Sequence, residues 1–271
     1  MHVSKTRFQF GVAGVLSSVL LSRPTATMIA KRVLFPGINL HARDRCSRIP
    51  RKFGPEIGPG TRVLDAGCGN GMLSHEAWKR GATVLGISIK QKEVDGCRAM
   101  FNQQQGISGN ALRFENVNLY SMSPQVSRFD AIICTEVLEH IRDDRGVCQK
   151  FFELLEPGGC LHVTSPNADH PYNREFLLDL EERGGHVRPG YTADSYRALF
   201  EPIGFTVEEV SGLGGPVRQA LNRWIRATQE RFGAAAGLPL FFLSVPFLWL
   251  DSGSPRVPFS LYLRARKPAV P

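Results

Sequence analysis

Residues 63–71 read Val63-Leu64-Asp65-Ala66-Gly67-Cys68-Gly69-Asn70-Gly71. An apolar run ends in a turn with glycine at every second position. The reading is a buried strand that stops at a tight turn and opens a helix. Glycines at 67, 69 and 71 let the backbone take conformations closed to other residues and let a ligand approach main-chain N–H groups at a helix N-terminus.

Working outward, strand and helix signals alternate. Strands are expected at Arg62–Ala66, Thr83–Ser88, Leu112–Val117, Asp130–Cys134, Cys160–Thr164, Phe205–Val210 and Phe259–Ala265. Helices are expected over 71–79, 91–105, 144–155 and 192–200, the last with Thr192 as its cap. Pro157-Gly158-Gly159 reads as a turn. This alternation predicts an α/β fold with a parallel sheet covered by helices on both faces. Residues 167–190 are polar and irregular, the composition of a lid.

Composition narrows the class. The chain has 271 residues and a formal net charge of +8. No Lys/Arg run or aromatic-basic motif accompanies that charge, so an anionic membrane surface is expected before nucleic acid. The six cysteines have no CxxC spacing, which predicts reduced, mostly buried thiols. No cluster shows zinc spacing, and no metal is expected. The first 44 residues are basic, without an acid before Asp44, and residues 8–21 are apolar. They read as a helix associated with the domain or a membrane, or as a targeting sequence.

An insertion precedes the last strand, over residues 213–256. Val217–Phe232 is a basic amphipathic helix with Arg218, Arg223, Arg226 and Arg231. Residues 232–250 carry no charge and include LPLFFLSVPFLWL. Pro239 and Pro246 oppose one straight spanning helix. Two readings compete: a buried hairpin covering the sheet, and a monotopic dip into a membrane with arginines at anionic headgroups. The apolar 8–21 stretch favours the second.

A glycine turn after a strand suits NAD, FAD or S-adenosylmethionine. The dinucleotide fingerprint is GxGxxG with an acid at the end of the second strand. Here the spacing is GxGxG and Ser88 stands in that place, so a nucleotide-dependent oxidoreductase is the weaker alternative. VLDAGCGNG, then GATVLGISI, FDAIICTEVLEHI and LLEPGGCLHVTSPN resemble the class I S-adenosylmethionine-dependent methyltransferases over roughly residues 45–210. The similarity is nearest to the ubiquinone-type O-methyltransferases and related small-molecule, lipid and glycan enzymes.

The resemblance implies a Rossmann-like seven-stranded sheet whose last strand is antiparallel, inside a domain over 45–266. It implies a cofactor site of Asp65, Gly67, Cys68, Gly69, Gly71, Ser88, Asn118 and Leu119. Ser88 replaces the usual ribose-binding acid, as in the cyclopropane-synthase and tocopherol-methyltransferase branches, and Glu93 is placed to compensate. Asn118 stands where an Asp commonly meets the adenine amino group. Glu136-x-x-Glu139-His140 resembles the acceptor motif of coclaurine-type N-methyltransferases. His140 is the expected base, oriented by Glu136 or Glu139, or else these residues brace the loop; His186 is a second candidate. Asp143 and Asp144 read as helix-start acids.

These features predict S-adenosylmethionine-dependent methyl transfer, first to oxygen, on a small-molecule, lipid or membrane-linked glycan acceptor. The expected location is cytoplasmic, peripheral on a membrane, with organelle targeting open. A non-catalytic membrane scaffold is the alternative from another class.

Overall fold

The structure is a computed structural model that describes residues 37–122, 128–174, 178–179, 181–182, 184–251 and 255–269. The expectations for residues 1–36 lie outside the described residues. The chain divides into two compact units. One comprises Cys46–Gly214 with Gly253–Pro271; the other comprises the chain up to Arg45 with Gly215–Ser252.

The larger unit is built on a seven-stranded sheet in the order β3-β2-β1-β4-β5-β7-β6. The strands are β1 (Arg62–Ala66), β2 (Thr83–Ser88), β3 (Leu112–Asn116), β4 (Phe129–Thr135), β5 (Leu155–Pro166), β6 (Thr206–Leu213) and β7 (Ser260–Arg266). β1 to β5 pair in parallel, whereas β7 lies antiparallel between β5 and β6. The Rossmann-like order and the single antiparallel strand are as the family resemblance implies. The middle strands are near-continuous apolar runs because helices cover them: Val63, Leu64, Ile132, Ile133, Leu161 and Val163 are all fully buried.

Helices α2 (Met72–Lys79), α3 (Gln91–Cys97), α4 (Asp144–Leu154), α5 (Pro171–Arg174) and α6 (Ala193–Phe200) follow in this unit. α1 (Leu40–Arg48) precedes them, and the division between units falls inside it. The helix expected over 91–105 is α only to Cys97 and continues as a π-helical stretch, Arg98–Gln104. The Pro157-Gly158-Gly159 turn is absorbed into β5, where the register against β4 shifts between Phe129 and Ala131. Asp143 caps α4 by accepting from the Gly146 N–H at 2.9 Å. Thr192 and Ser195 form a reciprocal capping box at the start of α6.

The second unit holds α7 (Pro216–Phe232), α8 (Gly237–Ser244) and a 3-10 stretch, Val245–Leu250. Its small core joins Ile38, Leu40, Ile225 and Phe241. Residues 234–250 fold into short helical pieces, with Pro239 in the first turn of α8 and Pro246 in the first turn of the 3-10 stretch, and Phe247 and Trp249 are exposed. Among the described residues, no helix is long and apolar enough to cross a membrane.

Candidate active site

Strand order reverses between β1 and β4, and in open α/β sheets ligands bind at the carboxyl ends beside that switch. The loops leaving β1 and β4 carry residues 67–71 and 136–140. They adjoin closely: a Cβ on Gly67 would lie 2.3 Å from Val137 Cγ2.

The three turn glycines have different reasons to be glycine. All have positive φ: 84° at Gly67, 54° at Gly69 and 75° at Gly71. A Cβ on Gly71 would lie 2.7 Å from Phe101 Cε2, so packing excludes it as well. A Cβ on Gly69 would meet nothing within 4 Å. Only Gly69 therefore borders open space. The Gly67 and Cys68 N–H groups both donate to the Ile87 carbonyl, at 2.9 and 2.8 Å. They brace the turn against β2, and so the N–H cradle expected from the sequence is narrower than the whole turn.

Asp65 is buried at the end of β1 and accepts from Ser74 Oγ at 2.5 Å. Its other oxygen, Oδ1, is buried and has no hydrogen-bond partner among the described residues. Burial raises its pKa to about 6, against the opposing Ser74 bonds. A cationic ligand group would supply the missing partner and favour the carboxylate. The open face at Gly69 and the orphaned Asp65 oxygen thus fit a small cationic ligand such as S-adenosylmethionine.

At the end of β2, Ser88 Oγ donates to Glu93 Oε2 at 2.7 Å and accepts from the Lys90 N–H at 3.1 Å. Ile89 beside it is 66% exposed, an apolar face beside the site. After β3, Asn118 Oδ1 accepts from the Tyr120 N–H at 2.9 Å and so caps its own turn. Leu119 is buried in the core. Cys68 is buried, with its thiol pKa raised by a hydrogen bond with Cys97 and by burial, which makes it an inert wall.

Glu136 leaves β4 with φ 55°, a left-handed conformation unusual for a non-glycine residue. Thr164 Oγ1 donates to Glu136 Oε1 at 3.3 Å. Residue 138 opens a 3-10 turn, Leu138–His140, in which Glu139 is 1% exposed. His140 Nδ1 lies 2.8 Å from the Gly185 carbonyl. A carbonyl can only accept, so Nδ1 carries the proton and Nε2 is the basic nitrogen. Nε2 lies 3.9 Å from Glu139 Oε1. Burial lowers the His140 pKa, partly opposed by the Gly185 bond and Glu136. The imidazole is therefore neutral near pH 7.

His186 packs edge-on against His140, with ring centroids 4.7 Å apart. Its pKa is lowered to about 4, by burial first and by His140 second. Glu139, His140 and His186 bring three metal-capable ligand atoms within 4.8 Å of one another. Two neutral imidazoles and a carboxylate can hold a divalent cation, and the Nδ1–H bond of His140 to a carbonyl is the outer-shell contact such a ligand commonly has. The only signal in the sequence was the single histidine in GGHVRPGYT.

The 184–191 stretch is fastened to the 139–144 loop. Val187 N–H donates to the Glu139 carbonyl at 2.8 Å, and Arg188 donates to the Ile141 carbonyl at 2.7 Å. Asp144, expected only as a helix-start acid, also pairs with Arg188 and accepts from Tyr191 Oη at 2.6 Å. A second cluster, Glu56, Cys160 and His162, lies elsewhere in the same unit. His162 is satisfied on both nitrogens by Tyr262 and Glu56, and Arg264 stands 3.6 Å from Glu56. That cluster is a closed structural network.

Residues 38–210, more than half of the chain, match the family model described as methyltransferase domain. A ubiquinone biosynthesis O-methyltransferase of Psychrobacter arcticus is 30% identical over 162 residues, 57% of this chain and 62% of that protein. The match thus spans less than two thirds of that relative. The solved 4+2 cyclase SpnF superposes with a TM-score of 0.58 at 20% identity, covering 84% of this chain and 83% of that one. The N-methyltransferase NodS of Bradyrhizobium japonicum, solved with S-adenosyl-L-homocysteine, superposes with 0.53 at 16%, covering 85% and 89%. At these identities the two structures share the fold. Through its sheet order, its glycine turn and the match over residues 38–210, the chain belongs to the methyltransferase-domain family of the class I S-adenosylmethionine-dependent methyltransferases.

Proposed function

We propose that this methyltransferase methylates a hydroxyl of a lipophilic small molecule, with His140 as the base, in the cytoplasm at a membrane surface. The observation that carries this reading is the fixed tautomer of His140: Nδ1 is held by the Gly185 carbonyl, and Nε2 is left basic next to Glu139. Bound S-adenosylmethionine supplies an electrophilic methyl on a sulfonium. With that group bound, His140 Nε2 would take the proton of an acceptor hydroxyl as its oxygen receives the methyl. The buried Glu139 carboxylate stabilises the imidazolium that forms. Glu136, held by Thr164, braces the loop at the end of β4. The Psychrobacter relative, named as an O-methyltransferase, supports oxygen as the methylated atom.

For the cofactor, Gly67, Gly69 and Gly71 with Asp65 and Cys68 form the methionine end, Ser88 with Glu93 faces the ribose, and Asn118 with Leu119 borders the adenine. The SpnF superposition shows that this fold also serves a protein named as a cyclase, so fold alone does not establish transfer. The test is direct. Purified protein is incubated with methyl-tritiated S-adenosylmethionine and a panel of lipophilic phenols and matched amines. Phenol methylation that falls at least about a hundredfold in His140→Ala supports the reading. Preference for the amines, or binding of S-adenosylhomocysteine without transfer to any acceptor, overturns it.

A second reading is favoured by the Glu139–His140–His186 cluster: a divalent cation there would lower the acceptor hydroxyl's pKa directly. Loss of transfer on chelation and recovery with magnesium or zinc would select it over a metal-free base.

A further inference from the structure

The smaller unit exposes large apolar side chains in a group. Trp224, Phe232, Phe242, Leu243, Phe247 and Trp249 are each more than half exposed, and Trp249 reaches 80%. Trp224, Leu243 and Phe247 share one side, because they line the same groove of about 150 Å³ with Leu221, Leu240 and Ser244. Exposed apolar patches of this kind mark interaction surfaces.

Charge in this unit is arranged with the patch. The acids Asp44 and Asp251 both pair with the buried Arg218, at 3.3 and 3.2 Å. Of the charges outside that cluster, Glu230 is the one acid among the described residues of the unit, against Arg43, Arg45, Arg223, Arg226 and Arg231. Arg223 is exposed directly beside Trp224. Aromatics flanked by arginines, on helices too short to span a bilayer, suit the boundary between headgroups and acyl chains.

We propose that this unit docks on an anionic lipid bilayer, with Trp224, Leu243, Phe247 and Trp249 entering the acyl boundary and Arg223, Arg226 and Arg231 meeting lipid phosphates. The proposal deepens the lipophilic-acceptor reading and rests on it only for what docking serves. The observations belong to the second unit alone.

The experiment uses the full chain with vesicles of phosphatidylcholine, alone or mixed with phosphatidylglycerol, read by flotation and by tryptophan emission. Binding to the anionic vesicles with a blue-shifted emission is expected. Trp224→Ser/Phe247→Ser should lower partitioning at least about tenfold. Arg223→Gln/Arg226→Gln/Arg231→Gln should lower it about fivefold per arginine on anionic vesicles. Unchanged hydrogen exchange over residues 216–232 serves as the folding control for the mutated unit, and calorimetry with S-adenosylhomocysteine reports on the other unit. Unchanged partitioning in both correctly folded variants overturns the proposal. So does binding that disappears on removal of residues 1–36 yet survives both variants. A Trp224-dependent dimer in solution that ignores vesicles overturns it as well. If the wild type fails to bind S-adenosylhomocysteine, the methyltransferase reading falls while the vesicle result still stands.

Discussion

Ser88 Oγ donates its proton to Glu93 Oε2 at 2.7 Å, so the hydroxyl at the end of β2 positions a carboxylate one turn into the next helix. A residue that read as a missing acid is the holder of one. Lys90 Nζ lies 3.6 Å from the other Glu93 oxygen and keeps the group near the strand end. Glu93→Gln removes a charged acceptor while preserving shape. It is expected to weaken S-adenosylhomocysteine binding roughly tenfold by calorimetry, the scale of one charge-assisted hydrogen bond. Ser88→Ala should cost less, and the double variant should be no weaker than Glu93→Gln alone. Additive losses would mean that Ser88 contacts the ligand by itself.

The turn glycines should separate folding from binding. Gly71→Ala combines a positive φ with a collision against Phe101, and about 3 kcal/mol of destabilisation follows from strain plus overpacking. Thermal melting should drop by roughly 8 °C. Gly69→Ala bears the strain alone, near 1 kcal/mol, because its Cβ meets open space. That variant should melt within a few degrees of the wild type and still lose most of its S-adenosylhomocysteine affinity.

Legibility in the sequence followed the range of the interactions. The strand bounds Arg62–Ala66 and Thr83–Ser88 were readable to the residue, because a parallel strand buried on both faces must be a continuous apolar run. Thr192 as the cap of α6 was readable because capping is local. The His140–His186 contact was not, since 46 positions separate the rings and only the fold of the 184–191 stretch joins them. Nor was the use of Asp251, which serves a helix start more than thirty residues upstream. For Asn118 and Gly67, the sequence indicated residue type and place but not that a cap and a brace already engage their polar groups.

Asp251 is the lock of the second unit. Its carboxylate accepts from the N–H groups of Gly215 and Val217, both at 3.2 Å, and from Arg218 Nε. It therefore caps α7 and neutralises a buried guanidinium. Asp251→Ala leaves Arg218 with Asp44 and the Leu40 carbonyl and leaves the helix start uncapped. A loss of about 3 kcal/mol is expected, confined to this unit. Hydrogen exchange should rise over residues 216–232 while β1 and β4 keep their protection. Asp251→Asn, which retains an acceptor for the cap, should lose less.

The paired histidines make a pH prediction with a definite sign. His186 titrates near 4 in the folded chain and near 6.5 when unfolded, and His140 is shifted in the same direction. Between pH 6.5 and 4 the unfolded chain binds more protons, so stability rises with pH across that window. The contribution is complete above pH 6.5 and disappears as pH falls through the folded values. Chemical denaturation between pH 4 and 7.5 should show a slope that flattens in His140→Ala/His186→Ala. In the single variant His140→Ala, the remaining imidazole loses a neighbour and gains water. Its pKa, followed by NMR, should climb from about 4 toward the ordinary value. An unchanged His186 titration would show that the two rings are not coupled.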